Sequence, residues 1–306
     1  MYVDSSGIEV FSISCIVDPN VVSLTMISAA KYHSYGNDFL VFLVEEVGRT
    51  NFSVLTKSIC HPHQGLGADG CVFLNNFSHG QFSLRIFNRD GSEASMSGNG
   101  ARCASAFLHH RGLVEGPQVN LQTQSGSKVF TLLQSCSTSW KYSSTMGLPA
   151  FVPALIPFRA STNLENVQDY PLEIQGREIQ ISALSVGNPQ CVIFMDQLPS
   201  DYEFKDLGRA LENHSSFPER TNVSFVVVRD AHRLDIRIWE RGVGPTHSSG
   251  TGSCGAAVAA IRKNCAKSPI EVHTETGSQQ VEWTEGGEIQ LTGETDFIAE
   301  VRFHGS

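Results

Sequence analysis

The sequence predicts an α/β protein built from two homologous halves, in each of which short strands surround a central helix. Three observations lead to this fold class. Short motifs recur 152 positions apart, apolar runs follow the same order in both halves, and a glycine-rich turn precedes a helical pattern in each half. The length of 306 residues accommodates one large domain or two of ordinary size.

Internal duplication is the strongest of these signals. Two motifs recur 152 positions later: RIFNR at 85–89 as RIWER at 237–241, and SGNG at 97–100 as SGTG at 249–252. Two shorter matches keep nearly the same spacing: Gly36-Asn37 with Gly187-Asn188, and Gly70–Phe73 with Asn222–Phe225. Four matches in register favour homologous halves over coincidence among common residues, with a junction near residues 143–149.

Short apolar runs bounded by turn residues predict the strands. They are Phe39–Val44, Cys71–Leu74 and Phe82–Phe87 in the first half, and Cys191–Met195, Val223–Val228 and Leu234–Trp239 in the second. Hairpin-like segments follow at Val119–Leu133 and at Ile270–Leu291, the latter with EGGE (285–288) as a turn.

One central helix is predicted in each half, directly after the glycine-rich turn. Apolar residues spaced by three and four begin at Cys103 and Cys254. The helices are expected to end at Gly112 and at Lys263-Asn264. Because both segments are rich in small apolar residues, we expect them to be buried among the strands.

Composition narrows the functional classes. The net charge of −9 and the absence of a basic cluster disfavour a nucleic-acid-binding protein. The eight cysteines form no CxxC pair or Cys/His cluster, so they predict reduced, mostly buried thiols in a cytosolic protein and no metal site. No apolar run approaches the roughly 20 residues that a membrane helix needs. The segment before Met26 is expected to be an N-terminal extension.

The twin glycine-rich turns can bind an anion. A turn at a helix start presents unpaired N–H groups and the positive end of the helix dipole. Two such turns facing each other across a cleft would hold one anionic group, with Ser97 and Ser249 on opposite faces of the ligand. This geometry suits inversion of a carbon centre, since one group must remove a proton and another must return it. Serine is equally an ordinary helix N-cap, and this alternative stays open.

Six segments, in order from Met26 to the C-terminus, resemble the diaminopimelate epimerase family. They are KYHSYGNDF (31–39), GLGADG (65–70), RIFNRDGSE and SGNGARC (within 85–103), GNPQCV (187–192), FPERTNVSF (217–225), and IWERGVGPT and SGTGSC (within 238–254). The resemblance implies two pseudo-symmetric α/β domains of mainly antiparallel strands wrapped around a central helix, with a cofactor-free active site between them. It also implies epimerisation of LL-diaminopimelate to the meso form, which feeds lysine and peptidoglycan synthesis.

Carried over position by position, the resemblance implies a substrate site. The distal end of the substrate would contact Asn37, Asn88, Asn188, Asn222, Glu240 and Arg241. The reacting carboxylate would be bound by the N–H groups of Gly98, Asn99, Gly250 and Thr251. The chemistry agrees, because asparagine binds both ammonium and carboxylate groups, Glu240 suits an ammonium and Arg241 a carboxylate. For any single asparagine, a turn or backbone cap is the alternative.

The chain departs from the family pattern at the reacting positions. The two catalytic cysteines of the family fall on Ser97 and Ser249, and the histidine of its GNPHC motif falls on Gln190. Cys103 and Cys254 lie about 1.5 turns inside their helices and are expected to pack rather than react. The implied catalytic residues are therefore Ser97, Ser249 and Glu240, although a serine hydroxyl is a poor base without an activating neighbour.

Three functions follow from these observations. The first is a diaminopimelate epimerase-like isomerase, impaired where serines replace the thiols. The second is a same-fold isomerase, racemase or lyase acting on another amino or hydroxy acid, with Glu240 as base and His247 as its partner. The third is an amino-acid-binding protein without catalysis. A dinucleotide site at GTGSCG (250–255) is disfavoured, because a polar loop separates this motif from the preceding strand.

The predicted organisation is an extension (1–25), a first epimerase-like domain (26–145 with about 295–306) and a second one (146–294). The expected partner is a small amino-acid substrate. Binding to nucleic acid or to a membrane is not expected, and the expected location is the cytoplasm. Neither a cofactor nor a metal is expected, and homodimer formation is left open.

Overall fold

The computed structural model describes residues 26–48, 50–78, 80–160 and 163–304, so the predicted extension at 1–25 lies outside the described residues. The first half contains β1 (Met26–Ser34), β2 (Asn37–Leu43), α1 (Val44–Val47), α2 (Phe52–Ile59), β3 (Gly70–Ser78), β4 (Gln81–Asn88), β5 (Glu93–Ala94), α3 (Gly98–His110), β6 (Gln118–Thr123), β7 (Gly126–Cys136) and β8 (Ser139–Gly147). Every strand predicted in this half overlaps an observed one.

The second half repeats this order after a single 3-10 turn (Pro153–Leu155). It contains β9 (Val167–Ile174), β10 (Arg177–Ser185), β11 (Pro189–Phe194), α4 (Asp201–Glu212), β12 (Asn222–Asp230), β13 (Arg233–Glu240), β14 (Gly244–Thr246), α5 (Gly250–Arg262), β15 (Ile270–Thr274), β16 (Gly277–Glu282) and β17 (Ile289–His304). The predicted strands overlap observed ones here too, and the EGGE turn joins β16 to β17.

The strands of the first half close into a barrel. Their order is β17, β1, β2, β3, β4, β6, β7 and β8, with β8 pairing back onto β17. In the second half the order is β17, β16, β15, β13, β12, β11, β10, with a bridge from Ala150 to Ser185 that leads back to β8. In each barrel two neighbouring pairs are parallel and the others antiparallel, which confirms the mainly antiparallel fold.

The duplication extends to strand register. Cys71 faces Phe87 in the first half, and Val223 faces Trp239 in the second, so both partners recur 152 positions later. At the hairpin turns Thr123 pairs with Gly126 and Thr274 with Gly277, so both partners recur 151 positions later. Two homologous halves therefore fold into the same topology.

The central helices α3 and α5 are buried as predicted. Each lies within an apolar cluster formed by the inner faces of its barrel. The helices begin at the glycine turns themselves and end before a residue with positive φ at the C′ position, Gly112 (63°) and Asn264 (59°).

The outer helices α2 and α4 are an addition to the sequence prediction. They cover the outer faces of the β3–β4 and β12–β13 strand pairs and form two further apolar clusters. Their capping residues, Asn51 and Ser200, accept bonds from the first turn of each helix. Among the described residues, no helix is long and apolar enough to cross a membrane.

Two long strands join the barrels. β17 pairs with β16 at its beginning, with β8 over Ile289–Asp296 and with β1 towards its end. The predicted domain boundaries, 145/146 and 294/295, fall inside β8 and β17. They stay a prediction, because both strands run through both barrels.

Candidate active site

The first turns of the two central helices lie against one face of β17. A Cβ atom on Gly250, the first residue of α5, would lie 2.9 Å from Leu291 Cδ2. Arg102 in α3 approaches β17 two residues further on, since a Cβ atom on Gly293 would lie 2.8 Å from its Cζ. Residues two apart in a strand share a face and are separated by about 6.7 Å. The two helix starts therefore converge on the same short stretch of this strand.

Ser97 and Ser249 occupy equivalent positions as N-caps. Both have extended backbone angles, and each Oγ accepts a hydrogen bond from the N–H three residues later, Gly100 at 3.1 Å and Gly252 at 3.4 Å. Ser97 is half-buried and Ser249 is buried. This geometry fits both interpretations of the two serines, as helix N-caps and as residues that flank a bound anion. The interpretations differ only in whether the hydroxyl groups also act on a ligand.

A polar network surrounds the first helix start. Asn99 Nδ2 donates to Asn37 Oδ1 (3.3 Å), and Asn37 Nδ2 donates to Asp69 Oδ2 (3.0 Å). Arg102 Nη1 donates to Asn99 Oδ1 (3.1 Å), while Asp69 also pairs with Arg89 (2.7 Å). Two of the predicted substrate-binding residues, Asn37 and Asn99, are therefore in direct contact.

The second helix start carries a carboxyl group instead. Ser249 Oγ donates to Glu240 Oε1 at 2.9 Å and lies 3.4 Å from Thr251 Oγ1. Burial raises the pKa of Glu240 above its ordinary value of 4.5, and hydrogen bonds from Ser249 and Thr246 offset part of this rise. The structure thus brings together the serine and the glutamate that the sequence analysis proposed as catalytic residues.

The network continues away from Ser249. Thr251 Oγ1 accepts a bond from Asn188 Nδ2 (3.4 Å), and Asn188 Oδ1 accepts one from Gln190 Nε2 (2.7 Å). The contact between Thr251 and Asn188 corresponds to the contact between Asn99 and Asn37 in the first half. Gln190 is fully buried, and its Oε1 atom has no partner among the described residues.

Asn222, at the start of β12, and Arg241, directly after β13, lie side by side at one end of the second barrel. The buried side chain of Asn222 accepts a bond from the Arg241 N–H (2.8 Å) and donates one to the Pro189 carbonyl (3.2 Å). Arg241 Nη1 donates to the Glu219 carbonyl (3.0 Å). Asn222 thus uses both ends of its amide to connect strands.

Two predicted residues have partners outside these networks. Asn88 occupies the position equivalent to Glu240, but it is exposed and donates to Ser92 Oγ (3.0 Å) in the following turn. His247, expected as the partner of Glu240, is exposed and contacts Glu275 at 3.0 Å. In the structure Asn88 caps the following turn, and its predicted contact with substrate stays a prediction. The expected pairing of His247 with Glu240 is wrong, because His247 contacts Glu275 instead.

Two polar residues of these networks, Asp69 and Arg102, were not predicted from the sequence. Both lie in the motifs GLGADG and SGNGARC, and Arg102 is a charged residue in an otherwise apolar helix segment, which was an available signal. Cys103 and Cys254 occupy packing positions as predicted, since both thiols are fully buried and burial raises their pKa to about 12.

A groove of about 630 Å³ has walls from β1, the β15–β16 hairpin and β17, and its lining includes Tyr35, Thr276 and Glu294. None of the predicted site residues lines it, but Tyr35 and Gly293, which lie close to the Arg102 side chain, do.

Comparison with known proteins agrees with these observations. The model of the diaminopimelate epimerase family matches residues 29–152 and 182–298. A diaminopimelate epimerase from Pelotomaculum thermopropionicum is 36% identical over 270 residues, covering 88% of this chain and 95% of the relative. One from Pseudomonas savastanoi is also 36% identical, over 266 residues, covering 86% of this chain and 94% of the relative.

Solved structures share the fold at low sequence identity. A phenazine biosynthesis protein of the PhzF family from Bacillus anthracis has a TM-score of 0.67 at 15% identity, covering 91% of this chain and 99% of that one. A hydroxyproline epimerase from Agrobacterium vitis, with bound trans-4-hydroxy-L-proline, has a TM-score of 0.62 at 15% identity, covering 91% of both chains. At these identities the likeness is one of fold.

Proposed function

This chain belongs to the diaminopimelate epimerase family, and we propose that it epimerises LL-diaminopimelate to the meso form by proton transfer without a cofactor. The observation that carries the proposal is the pair of matched helix starts on one face of β17, each with a serine N-cap. Their free N–H groups suit the substrate carboxylate, which the helix dipoles favour as well. Proton removal beside that carboxylate adds negative charge where these donors point.

The two faces of the proposed site differ in acid–base capacity. On one face Glu240 accepts a hydrogen bond from Ser249, so a proton taken from the substrate can pass through the hydroxyl group to a carboxylate. On the other face the Oγ of Ser97 has Gly100 N–H as its partner within the described residues, and no titratable side chain bonds to it there. We therefore propose an impaired epimerase, in which proton exchange at the Ser249 face is faster than complete inversion.

A proton-exchange experiment tests this proposal. The purified protein is incubated with LL-diaminopimelate in D2O, and NMR follows α-deuteration while chiral chromatography follows the meso product. We expect deuterium incorporation to exceed inversion, and a Ser97→Cys/Ser249→Cys double variant to raise both rates. If neither the native protein nor the double variant exchanges deuterium, the proposal is wrong.

A second candidate is proton transfer on another small amino or hydroxy acid with Glu240 as base. The favouring observation is the Glu240–Ser249 contact, which does not depend on a long, two-ended substrate. Running the same exchange assay over a panel of amino acids, proline and hydroxyproline included, separates the two functions. An amino-acid-binding protein would instead bind a panel member by calorimetry without any exchange.

The proposed setting is that of a cytoplasmic biosynthetic enzyme with a small amino acid as its partner. A homodimer is part of this proposal, with no role for nucleic acid. Sedimentation of the purified full chain tests the dimer, and a monomer at all concentrations would exclude it.

A further inference from the structure

Arg102 is a buried cation without a carboxylate partner among the described residues. Its side chain is 1% exposed, and Nη1 donates to Asn99 Oδ1 (3.1 Å) and to Ser34 Oγ (3.2 Å). The Nε atom has no partner there, and the guanidinium lies 5.9 Å from the ring of Tyr35. A buried charge that has only neutral partners is costly to folding, so its presence calls for a reason.

The fold makes room for this guanidinium. A Cβ atom on Gly293 would lie 2.8 Å from Arg102 Cζ and 3.0 Å from the hydroxyl oxygen of Tyr35. Any side chain at position 293 would therefore require the Arg102 guanidinium or the Tyr35 hydroxyl group to shift. The equivalent position in the second helix is Cys254, a neutral buried thiol, so the charge belongs to one half only.

The charge faces the proposed anion site. Arg102 stays protonated at neutral pH, because arginine does so even where burial lowers its pKa. Its hydrogen bond fixes the amide of Asn99, whose backbone N–H belongs to the free first turn of α3. A substrate carboxylate at this turn would supply the negative charge that no described residue supplies.

We propose that Arg102 is a positioning residue of the carboxylate site. It orients Asn99, and its unpaired positive charge favours negative charge where the two helix starts converge, both on the substrate carboxylate and on the intermediate formed when the α-proton leaves. The identity of the anion rests on the proposed function, whereas the charge itself rests on the contacts of Arg102.

A thiol introduced at the first helix start measures this charge without any substrate. In a Ser97→Cys protein, the rate of iodoacetamide alkylation at position 97 is followed against pH by mass spectrometry of the modified peptide. We expect a thiol pKa below the free value of about 8.5. Adding Arg102→Met or Arg102→Gln should raise that pKa by about one unit, because a nearby cation is lost. Adding Arg102→Lys, which keeps the charge, should raise it much less.

The outcomes decide the proposal in each case. An unchanged thiol pKa in folded Arg102→Met and Arg102→Gln proteins overturns it, since a purely structural arginine would not affect titration. If Arg102→Met does not fold by circular dichroism, Arg102→Gln, which keeps a polar amide in place of the guanidinium, decides the same question. If neither folds, the Ser97→Cys protein decides alone, and a thiol pKa at or above about 8.5 contradicts the proposal.

A kinetic measurement then links the charge to the substrate. With LL-diaminopimelate, Arg102→Gln should raise KM about tenfold, in keeping with the loss of a charge-assisted interaction. The matched control, Cys254→Ser at the equivalent position, should change KM less than twofold. Because the thiol titration needs no substrate, a protein that fails to exchange diaminopimelate can still confirm or refute the charge.

Discussion

The two helix starts have the same backbone conformation and differ in the charged side chain that lies beside each of them. In the first half Asn99 bonds Asn37 and is held by the buried cation Arg102. In the second half Thr251 makes the equivalent contact with Asn188, and the ionisable group is the half-buried Glu240, bonded to Ser249. The two halves thus have similar helix starts, and a few side-chain differences place a cation beside the first and a carboxyl group beside the second. Such a difference suits a site that binds an anion and moves a proton from one preferred face.

Replacing Glu240 should have the largest effect on the difference in acid–base capacity between the two halves. Glu240→Gln keeps the volume and a hydrogen-bonding group but removes the carboxylate that accepts from Ser249. We expect α-deuteration to fall about 100-fold or more, in the range of a lost general base. The matched control is Asn88→Gln at the equivalent position, where a change of only a few-fold is expected. Equal losses in the two variants would mean that the halves do not differ in acid–base capacity.

The pH dependence of deuterium exchange tests whether Glu240 is the base. Burial raises the pKa of Glu240 above 4.5, and the base is active only when ionised. The exchange rate should therefore fall as pH decreases through the raised pKa, by about tenfold per unit below the midpoint. The midpoint, measured with α-deuterated diaminopimelate, should lie above 4.5. A rate that stays flat down to pH 4 would exclude Glu240 as the base.

Asp69 provides a test of the first half alone. Its Oδ2 accepts from Asn37 Nδ2, while Asn37 Oδ1 accepts from Asn99 Nδ2. Asp69→Asn should weaken this arrangement and raise KM for diaminopimelate several-fold, up to about tenfold, with a smaller effect on kcat. Arg89→Met serves as control, because it removes the bonds of Arg89 to Asp69 and to the Ala68 carbonyl but leaves the contact between Asp69 and Asn37. If both variants raise KM equally, the Asn37 contact has no role in binding.

The smallest expected effect compares the packing of the two helix starts. A Cβ atom on Gly98 would meet nothing within 4 Å, whereas one on Gly250 would lie 2.9 Å from Leu291. Gly98→Ala should leave the free energy of unfolding within about 0.5 kcal/mol. Gly250→Ala should lower it by about 1 kcal/mol or more, through overpacking. Thermal unfolding of both variants measures the difference, and equal melting temperatures would contradict the packing asymmetry.

Much of the fold followed from the chain alone. The repeated motifs predicted two halves, and the apolar runs predicted the inner strands and the buried helices. The outer helices α2 and α4 were not predicted, although α4 carries a readable signal: Ser200 caps it, and its buried residues Phe204, Leu207 and Leu211 are spaced by three and four. The candidate site was predicted less completely. Ser249 contacts both Glu240 and Thr251, whereas Asn88 and His247 do not join them, because nearby turn and hairpin residues, Ser92 and Glu275, are their partners.

By itself, the sequence determined the duplication, the order along the chain of the predicted strands and central helix in each half, and the serine N-caps of both helices. These features depend on local periodicity and on turn chemistry. Only the tertiary structure decided that β8 and β17 join the two barrels and that both helix starts meet one face of β17. It alone revealed that Arg102 is buried without a carboxylate partner in the described chain. The physical reason is that burial and charge pairing depend on residues far apart in sequence, such as Arg102 and Gly293, which no local pattern connects.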